Sequence, residues 1–245
     1  MSAMHLFPAV TQLNSLNDQA RAVLPSLPAD YCGVKPTMKP TKKITLALGL
    51  LAAGASFAQT NPPAPTGLLG HQYTEVSFGL NDLKHVSTHG YSLGAAANTP
   101  LIPGKLDAGG TYSYSWIGGG LRSHANTIGG YTTAYLPLQG FKPFVGAGLG
   151  YEWVSAPHGL GDDQAVWRTT VGVEIPAGAV TITPRITYHD DFRGTQRSTQ
   201  AWTVGAEANY WYSATSAVFG SIGHSDVRRS SIDSWNYQIG LRAKF

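Results

Sequence analysis

The chain has 245 residues, 42% of them hydrophobic and 13% charged, with one cysteine and a formal net charge of +3. A single cysteine excludes a disulfide framework. The charge does not point to nucleic acid: residues 1–58 hold Arg21, Lys35, Lys39, Lys42 and Lys43 against Asp18 and Asp30, an excess of three that leaves the rest of the chain balanced.

In chain order, the first organised stretch begins at Met38. Met38-Lys39-Pro40-Thr41-Lys42-Lys43 is basic, the run from Ile44 to Gly54 is apolar, and Ser56-Phe57-Ala58 has the small-x-small form of a cleavage site. These are the three regions of a secretory signal peptide over residues 38–58, cut after Ala58, with Ser56 and Ala58 as the small residues that the peptidase reads. The apolar run is about half of what a spanning helix needs, and no other stretch approaches that length. Residues 1–37 contain Cys32, Pro25, Pro28 and Pro36 and show no periodicity. They read as upstream sequence translated in error, or alternatively as an unusually long basic leader region. The mature chain is then expected to begin near Gln59, with a stiff Pro-rich lead-in over residues 59–69 on the periplasmic side.

From residue 70 onward the pattern is one of strands and turns. Ten candidate strands fall near 71–80, 85–97, 105–117, 126–137, 142–154, 165–175, 179–189, 200–212, 216–224 and 234–245. Alternation is clearest in the fifth, where Val145, Ala147, Leu149, Tyr151 and Trp153 oppose Phe144, Gly146, Gly148, Gly150 and Glu152. The closing strand sets Trp235, Tyr237, Ile239, Leu241, Ala243 and Phe245 against Asn236, Gln238, Gly240, Arg242 and Lys244. Period-2 alternation gives each strand an apolar and a wet wall, and lengths near 9–11 residues suit a tilted transmembrane strand. The fold expected is all-β: a closed antiparallel up-and-down transmembrane β-barrel over residues 70–245, with ten strands favoured and eight as the alternative if the first two merge. With Phe245 at the periplasmic end, the segments Ala156–Gln164, Asp190–Thr199 and Asp226–Asp233 are outer connectors, and Pro176–Gly178 and Ser213–Thr215 are tight inner turns. Leu101–Gly104 is longer, and Asn81–Lys84 shorter, than this alternation wants. Pro184 sits inside the seventh strand, where it calls for a bulge or a lost ladder bond.

Trp116, Trp153, Trp167, Trp202 and Trp235 all fall toward the outer ends of their strands. Tyr210 and Tyr212 fall toward the inner end, beside Trp211. Together the five tryptophans and two tyrosines form the expected aromatic girdle, since amphipathic rings favour the headgroup zone.

Lys142-Pro143-Phe144-Val145-Gly146-Ala147-Gly148-Leu149-Gly150-Tyr151 resembles the Gly-rich central strand of small outer-membrane β-barrel proteins of the opacity-protein and OmpA-transmembrane-domain type, in the porin-like superfamily. The ending Gln238-Ile239-Gly240 through Phe245 is similar to the C-terminal signal of such proteins. The resemblance implies a location in the outer membrane of a Gram-negative type envelope, with lipid, periplasmic chaperones and the barrel-assembly machinery as partners. It implies Gln238, Gly240 and Phe245 as an assembly signal, and a structural, adhesive or surface-interaction role as a monomer. It brings no catalytic residues, metal or cofactor. The connectors look short for a dedicated adhesin.

Alternation collects Glu75, Asp107, Glu152, Arg168, Glu174, Arg185, Glu207, Arg242 and Lys244 on the inward face. In a narrow lumen this mixture is expected to pair into a plugging network, with Arg168–Glu152 and Glu174–Arg185 as pairs across adjacent strands. The alternatives are a narrow passive pore for small solutes, and a barrel hydrolase built on His189-Asp190-Asp191, Asp162-Asp163 or His224-Ser225-Asp226. In the last of these, adjacent strand residues face opposite ways, which argues against a nucleophile–base pair. His85, His89, His124, His158, His189 and His224 fall in or beside outer connectors. They read as solvated histidines, with a rim metal or acid sensor as the sharper alternative.

Overall fold

The computed structural model describes residues 67–83, 88–118, 123–155, 162–192, 200–227 and 233–245. The expected signal peptide, its cleavage residues Ser56 and Ala58, and residues 1–37 lie outside the described residues, as do His85 and His158. Ten strands close into one antiparallel barrel: β1 (Tyr73–Leu83), β2 (Thr88–Ile102), β3 (Leu106–Ile117), β4 (His124–Tyr135), β5 (Lys142–Ser155), β6 (Asp162–Ala177), β7 (Val180–Asp191), β8 (Ala201–Trp211), β9 (Ser216–Val227) and β10 (Asp233–Lys244). Each strand pairs with its sequence neighbours, and β1 meets β10 to complete the ring. The first two strands do not merge, so the count is ten.

The ends of β1 and β10, and the turns at 103–105, 136–141, 178–179 and 212–215, share one mouth, the terminal mouth. The strand ends joined by residues 84–87, 118–123, 156–161, 192–200 and 228–232 form the distal mouth. Both irregularities at the front of the sequence have a local cause. Leu101 and Ile102 continue β2 past a register shift at Pro100/Ile102, which shortens the β2–β3 turn, and Asn81 to Leu83 still belong to β1. Pro184 faces outward without a bulge. The β6–β7 register is the same on both sides of it, and only the pairing of Val173 and Glu174 with Pro184 and Thr183 is missing.

Polarity is inverted relative to a water-soluble sheet. Serine, threonine, asparagine and nine charged side chains fill much of the buried interior, while Leu149 is 65% exposed and Val204 59%. Such a band of outward Val, Leu and Ile is unfavourable in water and suited to hydrocarbon, where a closed ladder also leaves no unpaired backbone edge. Trp211 is the exception among the tryptophans. Alternation on β8 turns it inward, 2% exposed, where its indole N–H donates to Thr181 Oγ1 at 3.1 Å.

Candidate functional site

The lumen carries the chemistry of this chain. Arg242 on β10 lies opposite Glu75 on β1 in the closing register, and its Nε donates to Glu75 Oε2 at 2.8 Å. Its Nη1 reaches across β9 to Glu207 and Asn209 on β8. Arg185 on β7 donates to the second oxygen of Glu207 at 3.1 Å, so one carboxylate joins two guanidinium groups. The Arg242 guanidinium also lies 3.9 Å over the Phe219 ring. The ring occupies the space where a side chain at Gly240 would stand. Desolvated charges survive only when partners satisfy them, and this four-strand network does that with ions and amides together.

Nearer the terminal mouth, Glu174 Oε1 pairs with Lys142 Nζ at 3.2 Å, while its Oε2 accepts from the backbone N–H groups of Leu68 and Leu69 at 2.6 and 3.2 Å. Asp107 accepts from Gly70 N at 2.9 Å and Asn98 Nδ2 at 3.3 Å. Lys244 Nζ sits 3.7 Å over the Trp211 ring. The lead-in expected over residues 59–69 therefore ends early: Leu68 and Leu69 are 1% and 3% exposed, inside the barrel end.

Toward the distal mouth, Glu152 accepts from Gln164 Nε2 at 3.0 Å and Thr127 Oγ1 at 3.3 Å. Two expected pairs are corrected here. Glu152 lies opposite Gln164 and Arg168 opposite Gly148, four residues farther along the ladder. Glu174 is held by Lys142 and the backbone of residues 68–69, and Arg185 by Glu207, so these two do not pair. Gly148 has a steric reason to lack a side chain, because a Cβ there would stand 2.8 Å from Arg168 Nε. Glu152, Arg168, Thr127 and His189 line a small cavity in this half.

His189 is corrected from rim to interior. It is 4% exposed and faces Arg168 in the β6–β7 register. His89, His124 and His224 do lie near the distal ends of β2, β4 and β9, three non-adjacent strands. His89 pairs with Asp82 at 3.2 Å, His124 rests on Tyr114, and His224 meets Trp235 edge-on with Asp233 at 3.8 Å. Among the described residues, no three His, Cys, Asp or Glu side chains gather as a metal site. The hydrolase candidates are divided between faces. Asp190 turns outward to Tyr188 and Gln200, whereas Asp191 is buried. Ser225 is buried against Thr203 and Asn236, both at 2.7 Å, away from outward His224.

The outward rings pack in ladders near the distal mouth: Tyr91, Trp116 and Tyr114 stack at 5.7 Å spacings, and Tyr188 bridges Trp167 and Trp202. Trp153 packs on Tyr151, and Trp235 on His224. Tyr210 is exposed at the other end of the barrel wall, with Tyr212 half-buried at the β8–β9 turn. Gln238 points inward and donates to Ser77 Oγ at 2.7 Å, while the Phe245 side chain is 73% exposed and its N–H bonds Gln72 O at 3.1 Å.

The fold is a closed, ten-stranded antiparallel β-barrel. Solved structures that it resembles include the translocator domain of autotransporter NalP from Neisseria meningitidis, at 10% identity and a TM-score of 0.43, covering 82% of this chain and 96% of that one. Neisserial surface protein A is 14% identical with a TM-score of 0.40, covering 71% and 96%. The beta domain of the Bordetella autotransporter BrkA is 13% identical with a TM-score of 0.47, covering 71% and 100%. No family model and no curated protein matches the chain.

Sequence reasoning did not find the neutral partners Asn98, Gln164 and Asn209, nor the docking of Gly67–His71. Asn98, Gln164 and Asn209 occupy inward positions, but alternation alone cannot say which amide meets which acid. The docking did leave a sign, two adjacent leucines bracketed by Gly67 and Gly70 immediately after a proline-rich run.

Proposed function

We propose that this chain is an integral outer-membrane barrel with a structural or surface-interaction role and a lumen closed by paired charges. The observation that carries the reading is the Glu75–Arg242–Glu207–Arg185 network, buried and joined across β1, β10, β8 and β7. A conduit for solutes needs hydrated, separated groups along its bore, whereas these carboxylates and guanidinium groups bond one another. In this reading the terminal mouth faces the periplasm, and the distal connectors, with their flanking tryptophans, face out. The outward band contacts outer-membrane lipid, and assembly machinery and periplasmic chaperones handle the chain on its way there as a monomer. Purified protein in planar bilayers should give no steady conductance. A reproducible single-channel current would replace this reading with the narrow-pore one.

A further inference from the structure

We infer that the terminal mouth is a peptide-binding site, occupied here by the chain's own Gly67–His71. This strap is a tight turn, with His71 N–H bonded to Leu68 O at 3.1 Å. It takes positive φ at Gly67 (71°) and Gly70 (89°), a region that favours glycine. The surroundings demand glycine a second time: a Cβ at Gly67 would overlap the Glu174 carboxylate, and one at Gly70 would stand 2.8 Å from the Tyr135 hydroxyl.

The cradle reads both polarities of the strap's main chain. Glu174 receives the N–H groups of Leu68 and Leu69, and Asp107 receives that of Gly70. Lys142 Nζ donates to Leu69 O at 2.9 Å, and Asn98 Nδ2 to His71 O at 2.9 Å. Two apolar pockets read the side chains. Leu68 packs with Tyr73, Trp211 and Ala217, and Leu69 with Tyr135 and Phe144. Main-chain bonds plus paired side-chain pockets are how grooves recognise short peptides. The ligand class is thus a short Gly-Leu-Leu-Gly peptide. No strand of the ladder includes the strap, so it can leave without breaking a backbone pair between strands. The Arg242 network has no such freedom, because its members are strand residues.

The binding site is tested apart from the closed-lumen reading. The full chain is prepared with Gly67–His71 deleted, and separately with Leu68→Ser and Leu69→Ser to eject the strap while keeping its length. Folded material is confirmed by heat-modifiable mobility and reconstituted in lipid nanodiscs. The probe is a labelled, end-capped peptide Gly-Leu-Leu-Gly-His, followed by fluorescence anisotropy. Saturable binding to either strapless barrel is expected, with none to the parent chain. A Glu174→Gln change in the strapless barrel should weaken it about tenfold or more, the worth of a charge-assisted bond. Replacing the peptide's first glycine by alanine should abolish binding. No saturable binding to a folded strapless barrel, or binding indifferent to both changes, overturns the site. A conducting parent refutes the closed-lumen reading and leaves the binding result standing.

Discussion

Replacing Arg242 with methionine tests the interior most directly. Methionine keeps the unbranched stem that crosses β9 and removes the guanidinium that binds Glu75, Glu207 and Asn209. Taking one partner from a buried pair typically costs about 3–5 kcal/mol, because the remaining charge stays desolvated. The structure grades the loss. Without Arg242, Glu207 retains Arg185 at 3.1 Å and Asn209 at 3.2 Å, whereas Glu75 loses its 2.8 Å partner. Arg242→Met removes three bonds and falls in that range, and Arg185→Met should cost less, since Glu207 then keeps Arg242. Adding Glu75→Gln to Arg242→Met should restore part of the stability, giving a coupling of about 0.5–3 kcal/mol, as for residues that share one network. Urea unfolding in lipid vesicles, followed by tryptophan emission, measures all four variants. Equal losses for Arg242→Met and Arg185→Met, or strict additivity of Arg242→Met with Glu75→Gln, would refute the network.

Val171 stands outward on β6, half exposed; Val171→Arg should destabilise by about 2–4 kcal/mol in the same assay if it lies near the bilayer midplane, with no rescue from any lumen substitution. Deleting Phe245, whose side chain touches solvent more than barrel, should lower outer-membrane levels in a cell-fractionation blot while leaving the unfolding midpoint of the assembled fraction within experimental error. His71 precedes β1, and its imidazole is held below its ordinary pKa of 6.5 by partial burial and by the Lys244 and Lys142 ammonium groups, against the opposing pull of Glu174 and Asp107. A base depressed in the docked state favours docking above its free pKa, so docking should weaken as pH falls below about 6.5 and level off once the docked imidazole protonates. Anisotropy titrations at pH 7.5 and pH 5.5, with the strapless barrel and its peptide, check the sign, and His71→Gln in the peptide should flatten the difference.

Strand number and facing were legible because period-2 alternation is a local signal. Phe144 to Val154 on β5 keep the expected sides, and Trp211 is turned inward by the same parity. Register was less legible because it depends on where each hairpin turns. Centring the β5–β6 connector on residue 160 sets Glu152 opposite Arg168; β6 begins at Asp162, the centre moves to 158, and the partner becomes Gln164. A shift of two residues in a loop thus displaces a cross-strand partner by four, with no change of face. His189 was misplaced for a related reason, since β7 runs on to Asp191 and carries it below the rim. The strap was hidden because its recognition comes from residues far apart in sequence, of which Glu174 lies 106 positions from Leu68.

The β1–β10 seam has a consequence for how the ring is completed. Two strands of alternating pattern can zip in several registers that differ by two residues, all with good backbone bonds and all with lipid-facing sides outward. In the observed register Glu75 meets Arg242 and Ser77 lies within reach of Gln238. A slip of two in either direction would bring Arg242 opposite Tyr73 or Ser77 instead, breaking its bond to Glu75. A misaligned β1–β10 closure is therefore penalised by the loss of this ion pair even though its backbone ladder stays intact.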